Sequence, residues 1–257
     1  MIKGTVMNNK KEWREGIKTH FNELRDVQSA QMKGEPCPPL QKPFPENATL
    51  IDLPEITESL LKKIKVMDCI NDRRSRRKYS DKPLTLDELS FLLSSTQRVH
   101  RLFQRGEDYA VALRVVPSAG ARHPFETYVI ANRIEGLKKG VYRYLGIEHK
   151  LLPEESIETE SEMITEAANG QTFVGNAPLV FVWSAIPYRT EWRYDRESAK
   201  LILLDAGHVC QNLYIATEAL GLGTCGIAAY DQEKMDRALH LDGEDEFVVY
   251  LAPVGRF

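Results

Sequence analysis

Nowhere in the 257 residues do about 18 apolar side chains follow one another, so no membrane-spanning helix is expected. The first stretch, MIKGTVMNNKKEW, lacks the apolar run of a secretory signal. Cysteine is sparse: Cys37, Cys69, Cys210 and Cys225 are scattered without CxxC spacing, which excludes a zinc ribbon or a disulfide scaffold. A large excess of one charge is missing as well, with 34 Lys and Arg against 37 Asp and Glu. A net charge of -3 and a pI near 6.1 argue against a general nucleic-acid binder. No convincing Ser/His/Asp or Cys/His set and no internal repeat is found. With 42% hydrophobic and 28% charged residues the chain can bury one substantial core, and a cytoplasmic protein with reduced thiols is the expectation.

Glu197 to Ala229 is the densest stretch. Up to about Leu220 it has no proline, and Gly207 is its only interior glycine. Leu201, Ile202, Leu203, Leu204, Val209, Leu213, Ile215 and Leu220 predict a helix roughly 36 Å long, apolar on nearly all sides and belonging inside a core. Gly221 is a fitting C-cap, and the glycine-rich run after it suits close backbone approach to a flat ligand. Gly221, Gly223 and Gly226 match G-x-G-x-x-G, but that dinucleotide fingerprint needs a strand before it and a helix after it, and here the order is reversed. Asp205 and His208 share a helix face. With no third ligand in view, a satisfied core histidine is expected there rather than a metal site.

Taken in order, Lys10 to Arg25 predicts a charged helix with Trp13, Ile17, Phe21 and Leu24 on one face. Pro36, Pro38, Pro39, Pro43 and Pro45 then impose an extended arm that wraps a surface. Leu53-Pro54 opens a second helix through Leu60, Leu61, Ile64 and Met67. Arg73, Arg74, Arg76, Arg77 and Lys78, interrupted by Ser75, read either as an anion cradle or as a solvated basic patch. Thr85 to Glu88 is a capping box. A strand over Leu113–Val116 delivers PSAGARHP (Pro117–Pro124), a tight loop of small residues with room for a planar ring, followed by a strand from Thr127 to Ala131. Tyr142–Tyr144 is a further strand, Glu154–Glu162 an acidic connection, and Leu179–Trp183 a buried strand. Tyr188, Arg189, Trp192, Arg193, Tyr194 and Arg196 suggest a substrate lid or an interface. A helix capped by Asp231 and a strand from Phe247 to Leu251 close the chain. Helices alternating with a handful of strands give an α+β, three-layer fold around one central sheet.

Arg-Arg-Ser-x-Arg-x-Tyr, PSAGARHP before a Tyr-containing strand, Arg-x-x-Trp-Arg-Tyr, LLDAGHVCQNLYIATEALGLGTCGIAAY and a terminal Val-Gly-Arg together resemble the nitroreductase superfamily, most closely its SagB-type dehydrogenase branch. The resemblance runs from about Leu53 to the C-terminus. It implies a flavin-binding domain over residues 53–257 behind an N-terminal extension of residues 1–52, a central mixed or antiparallel sheet flanked by helices, and an obligate homodimer with FMN between its subunits. By position, Arg73, Arg74, Ser75 and Arg77 match the phosphate- and ribityl-binding motif. Pro117, Ser118, Ala119 and Gly120 match the loop against the isoalloxazine ring, and Ile227, Ala228 and Ala229 the segment over the ring near N5. Arg256 falls near a terminal phosphate-gripping group. Where some members carry a Glu, this chain has Ala228, which leaves backbone donors at that point. The flavin chemistry needs no catalytic protein nucleophile. Arg189 and Trp192 are the candidates for orienting substrate. The implied activity is electron transfer from NAD(P)H to an organic acceptor. Two alternatives stand beside it: oxidation of peptide azolines to azoles within a modification complex, and flavin binding with little turnover.

Overall fold

The computed structural model describes residues 14–62, 65–106, 109–154, 156–157 and 160–257. In chain order the elements are β1 (Ile51–Asp52), α1 (Val66–Asp72), α2 (Leu86–Gln97), β2 (Val99–Arg105), β3 (Tyr109–Arg114) and β4 (Phe125–Ala131). There follow β5 (Gly140–Leu145), β6 (Lys150–Pro153), α3 (Ser161–Ala167), α4 (Thr172–Gly175), β7 (Leu179–Ala185) and α5 (Tyr188–Tyr194). The chain closes with α6 (Ser198–Leu220), β8 (Gly223–Thr224), α7 (Gln232–Ala238) and β9 (Phe247–Gly255).

Seven strands form one sheet in the order β1-β6-β5-β4-β7-β9-β8, every neighbouring pair antiparallel. Alternation along the central strands sorts their side chains onto two faces. Val129, Leu179, Phe181 and Trp183 meet α2 and α6 on one side. Tyr128, Ile130, Val180 and Val182 meet α3, α4 and α7 on the other. The result is helices, sheet and helices in three layers, an α+β fold. β2 and β3 pair only with each other, outside this sheet.

α6 spans 23 residues and ends where Gly221 turns left-handed (φ 70°), so that the N–H of Leu222 reaches Thr217 O at 2.8 Å. Its inward stripe, Ile202, Ala206, Val209, Leu213, Ala216 and Leu220, steps by four and three residues and fills the core. The opposite stripe does not. Leu203 is 65% exposed, Leu204 52%, and Gly207, His208 and Gln211 face outward with them. Up to Gln211 the helix is thus buried on one side only, whereas Ala216 to Leu220 are buried all round, and His208 is a surface residue rather than a core histidine. The Thr85–Glu88 capping box and the Asp231 cap both form.

The N-terminal region departs from its expected helices. Lys10 to Trp13 lie outside the described residues. Arg14 and Glu15 are helical as expected, but from Gly16, a poor helix former, the helix stops and the chain resumes only as a 3-10 turn over Phe21–Asp26. After Pro54 there is a 3-10 turn at Glu58–Leu60 and then α1, while Ile64 is outside the described residues. The acidic connection expected up to Glu162 gives way to α3 at Ser161. The proline-rich arm is strapped to the sheet by buried charge. Glu126 Oε1 accepts from the Lys42 N–H at 2.7 Å and pairs with Arg189 at 2.6 Å, while Arg143 donates to the carbonyls of Lys42 and Pro43 at 2.8 and 3.0 Å. Burial pushes the Glu126 carboxyl up, but Arg189, Arg143 and Arg114 outweigh it and hold the group below its ordinary range.

Candidate functional site

Behind α1 the chain runs extended and is stitched to the segment that follows α6. Ser75 bridges Thr224, and the N–H of Arg76 donates to Thr224 O at 2.9 Å. Tyr214, rising from α6, ties the two together: its hydroxyl accepts from the N–H of Gly226 at 2.8 Å and lies 3.0 Å from Ser75 Oγ. Either hydroxyl of the Ser75–Tyr214 pair can be the donor, and when Tyr214 donates the exposed Ser75 has its own proton for a group outside.

The five cations of this stretch divide. The Arg76 guanidinium turns inward, stacking 3.6 Å from the Phe257 ring centre and lying 3.9 Å from the buried Glu218. Arg73 lies over the Tyr214 ring at 5.2 Å, and Arg74 braces itself on the carbonyls of Asn71 and Arg73, both at 2.8 Å. Arg77 and Lys78 are exposed. Arg256 is committed to the α2 cap, its Nη2 reaching both Glu88 oxygens at 2.9 Å.

Beyond Gly226, Ile227 is buried and spends its N–H on Leu251 O at 2.8 Å. Ala228 and Ala229 are exposed, and among the described residues their N–H groups meet no acceptor. The glycines before them serve packing. A Cβ at Gly223 would strike Arg76 at 2.7 Å, and one at Gly226 would strike the Tyr250 ring at 2.8 Å and Cys210 Sγ at 2.9 Å. Burial pushes the Cys210 thiol up to about 12, so it offers no thiolate.

Pro117–Gly120 lies at a different height on α6. The Ala119 N–H donates to Asp205 Oδ1 at 3.3 Å, whereas the Arg73–Ser75 cradle meets the helix at Tyr214. Nine residues separate these two anchor points, about 14 Å along the helix axis. The loop is tightly wound: Gly120, Ala121 and His123 have φ of 58°, 53° and 47°, and the His123 N–H donates to Ser118 Oγ at 2.9 Å. Burial raises the Asp205 carboxyl, while Ser118 and the Ala119 N–H pull it back.

The end of α5 lies directly on this loop. A Cβ at Gly120 would sit 2.6 Å from the Tyr194 hydroxyl and 3.3 Å from Arg193 Cδ. Arg193 and Tyr194 are therefore the members of the expected lid that reach the loop. Arg189 and Trp192 face inward, each 3% exposed. Arg189 pairs with Glu126, and the Trp192 indole donates to Glu35 O at 2.9 Å while meeting Tyr109 edge-to-face at 5.3 Å, with the Arg122 guanidinium over both rings. Helical phase decides this, because residues 189 and 192 share the side of α5 that meets the sheet end.

Among the described residues no group of three His, Cys, Asp or Glu side chains could hold a metal ion, and no helix is long and apolar enough to cross a membrane. An apolar cavity of about 600 Å³ lies between α5, α6 and β9, lined by Ile186, Ile202, Leu203 and Phe247, and none of Arg73–Arg77 or Pro117–Gly120 lines it.

The nitroreductase family pattern matches residues 70–256. A Methanocaldococcus jannaschii protein described as a nitroreductase, MJ1384, is 35% identical over 206 residues, covering 80% of this chain and 96% of its own length. The trifolitoxin-processing protein TfxB of Rhizobium leguminosarum is 30% identical over 62% of this chain, which spans only 44% of TfxB. Among solved structures, a nitroreductase-like protein of Anabaena variabilis superposes with a TM-score of 0.71 at 21% identity over 95% of this chain and 45% of its own. A chain of the Escherichia coli microcin synthetase McbBCD complex with truncated pro-MccB17 bound superposes with a TM-score of 0.58 at 17% identity, covering 96% of this chain and 91% of that one. With the family pattern spanning the cradle, the loop and α6 alike, the chain belongs to the nitroreductase family.

Proposed function

We propose that this chain is an FMN-dependent oxidoreductase whose cofactor site is completed between two copies. The observation that carries the reading is the split geometry. A cradle of cations and free backbone donors sits at one height of α6, a small-residue loop sits about 14 Å away, and an unpaired stripe of the same helix lies between them. The residues present fit a flavin mononucleotide. Arg73, Arg74 and Arg77 with the Ser75 hydroxyl match one terminal phosphate, and the N–H groups of Ala228 and Ala229 match the polar edge of a ring.

When bound, the flavin would take up an electron pair from NAD(P)H and pass it to an organic acceptor. The chain's own contribution is position and exclusion of water. The guanidiniums neutralise phosphate charge, Ser75 donates to it, and Asp205 fixes the loop backbone through Ala119. Tyr194 and Arg193, lying on Gly120, cover the loop and orient the second substrate. A second reading, oxidation of azoline rings in a peptide, uses the same site. It is favoured by the likeness to TfxB, a trifolitoxin-processing protein.

The purified protein should be yellow. Replacing Arg74 and Arg77 together with Ala removes charge-assisted hydrogen bonds of about 1.5–3 kcal/mol each, a loss of about tenfold or more in FMN affinity per site. A flavin titration that leaves the double variant with native affinity overturns the cradle. Anaerobic mixing with NADH or NADPH then separates an oxidoreductase, whose flavin bleaches, from a protein that merely holds it. Turnover of an azoline-containing peptide under oxygen distinguishes the second reading.

A further inference from the structure

We propose that the outer edge of β2 is a docking strand for an extended, acidic segment of a polypeptide substrate, which adds to the β2–β3 ribbon as a third strand. β2 hydrogen-bonds only to β3, and among the described residues the backbone of residues 100–105 has no other partner. Its first residue alone is tied elsewhere, Val99 N–H to Gly146 O at 2.9 Å. His100 to Arg105 are all exposed, so neither face of the strand is covered. A two-stranded ribbon in water is marginal by itself, and an unpaired edge is a template for another chain.

The side chains define what that chain must carry. Residues 98–105 hold Arg98, Arg101, Arg105 and His100 and no carboxylate. The acidic residues nearest in sequence, Glu107 and Asp108, lie outside the described residues. Side chains alternate along a strand, so Arg101, Phe103 and Arg105 share one face. The Arg101 guanidinium lies 5.7 Å from the Phe103 ring, as that requires. Leu102, 48% exposed, occupies the other face. A cation, an aromatic ring and a cation in a row call for carboxylate, apolar group and carboxylate at alternate positions of the incoming strand, where cross-strand pairs meet. Cations on an edge also discourage pairing between copies, but that role needs neither Phe103 nor Leu102 in the open. The location suits a substrate. β3 ends at Arg114, and four residues later, within about 13 Å of extended chain, comes Ser118 of the candidate ring loop.

As a route for substrate the inference rests on the flavin reading, whereas binding at the edge is measured without it. The probe is a fluorescent, end-blocked Thr-Glu-Thr-Ile-Thr-Glu-Thr peptide, compared with its Lys-for-Glu counterpart and with a version N-methylated at alternate backbone positions. The Glu peptide should bind at least tenfold tighter than the Lys peptide, more weakly as salt rises, and the N-methylated version should not bind. Arg101→Glu with Arg105→Glu should invert the preference toward the Lys peptide, an outcome that mere unfolding does not produce. Amide exchange at Leu102 to Gln104 should slow when the Glu peptide is added. Equal affinity for Glu and Lys peptides, binding indifferent to N-methylation, or β2 amides already protected in the peptide-free protein in proportion to its concentration would each overturn the proposal, the last by assigning the edge to a second copy. Failure to bind in protein that holds and turns over flavin sinks the docking strand alone. Peptide binding to protein with no affinity for FMN sinks the oxidoreductase reading alone.

Discussion

His123 sits in the ring loop with a left-handed backbone and an almost fully buried imidazole. Burial, reinforced by the guanidiniums of Arg114 and Arg122, pushes its pKa down from 6.5 to about 2. The folded protein therefore keeps this ring neutral at pH values where the unfolded chain protonates it. The sign follows from linkage: the unfolded state binds the extra proton, so stability falls as pH drops below about 6.5, by up to about 1.4 kcal/mol per unit. At pH 5 the penalty is about 2 kcal/mol by the same rule. Asn tolerates the same backbone region, so His123→Asn should fold and should lose less of its melting temperature between pH 7 and pH 5 than the parent does. Parallel pH profiles for the two proteins would show that the imidazole takes up its proton in the folded state after all.

At the scale of elements, α5 shows where sequence reading succeeds and where it stops. The six aromatic and basic residues from Tyr188 to Arg196 announce a functional surface, but which of them face the site depends on how a seven-residue helix is rotated against the sheet. Glu126, more than sixty residues earlier, captures Arg189 and so sets that rotation. No local pattern carries that information. The long helix, its Gly221 stop, the Thr85 and Asp231 caps and the central strands are legible because each rests on local periodicity or on a single cap residue. β2 is not, since a strand exposed on both faces has no alternation to betray it. Arg256 is half legible: its type suits an anion, and only the fold reveals Glu88 as its partner. The rotation of α5 has a measurable consequence. Trp192→Ala should cost about 3–5 kcal/mol of stability, as for other buried aromatics, with lost flavin tracking lost folded protein. Tyr194→Phe should leave the melting temperature in place and lower kcat/KM for the second substrate. A Trp192→Ala variant as stable as the parent, yet slow, would mean that the indole reaches the substrate.

At the scale of the whole molecule, the exposed stripe of α6 is the surface on which two copies would meet. Leu203, Leu204, Gly207, His208 and Gln211 present a ridge with a glycine gap, and a Cβ at Gly207 would meet nothing within 4 Å. Two such helices laid antiparallel about a two-fold axis bury the same ridge twice. The midpoint between Asp205 and Tyr214 falls beside His208 to Gln211. Crossing there would bring the Pro117–Gly120 loop of one copy to the height of the other copy's Arg73–Ser75 cradle. A homodimer would thereby make two complete sites out of four half-sites. The expected consequence is that Leu203→Glu with Leu204→Glu, which touches neither half-site, yields a monomer and weakens FMN binding together. Each carboxylate would be buried without a partner at a cost of several kcal/mol, and symmetry doubles it, so the dimer dissociation constant should rise by about a hundredfold or more. Light scattering and flavin titration on the same preparation decide the matter. A monomeric variant that holds FMN with parental affinity would place the whole site within one chain and leave the stripe some other partner.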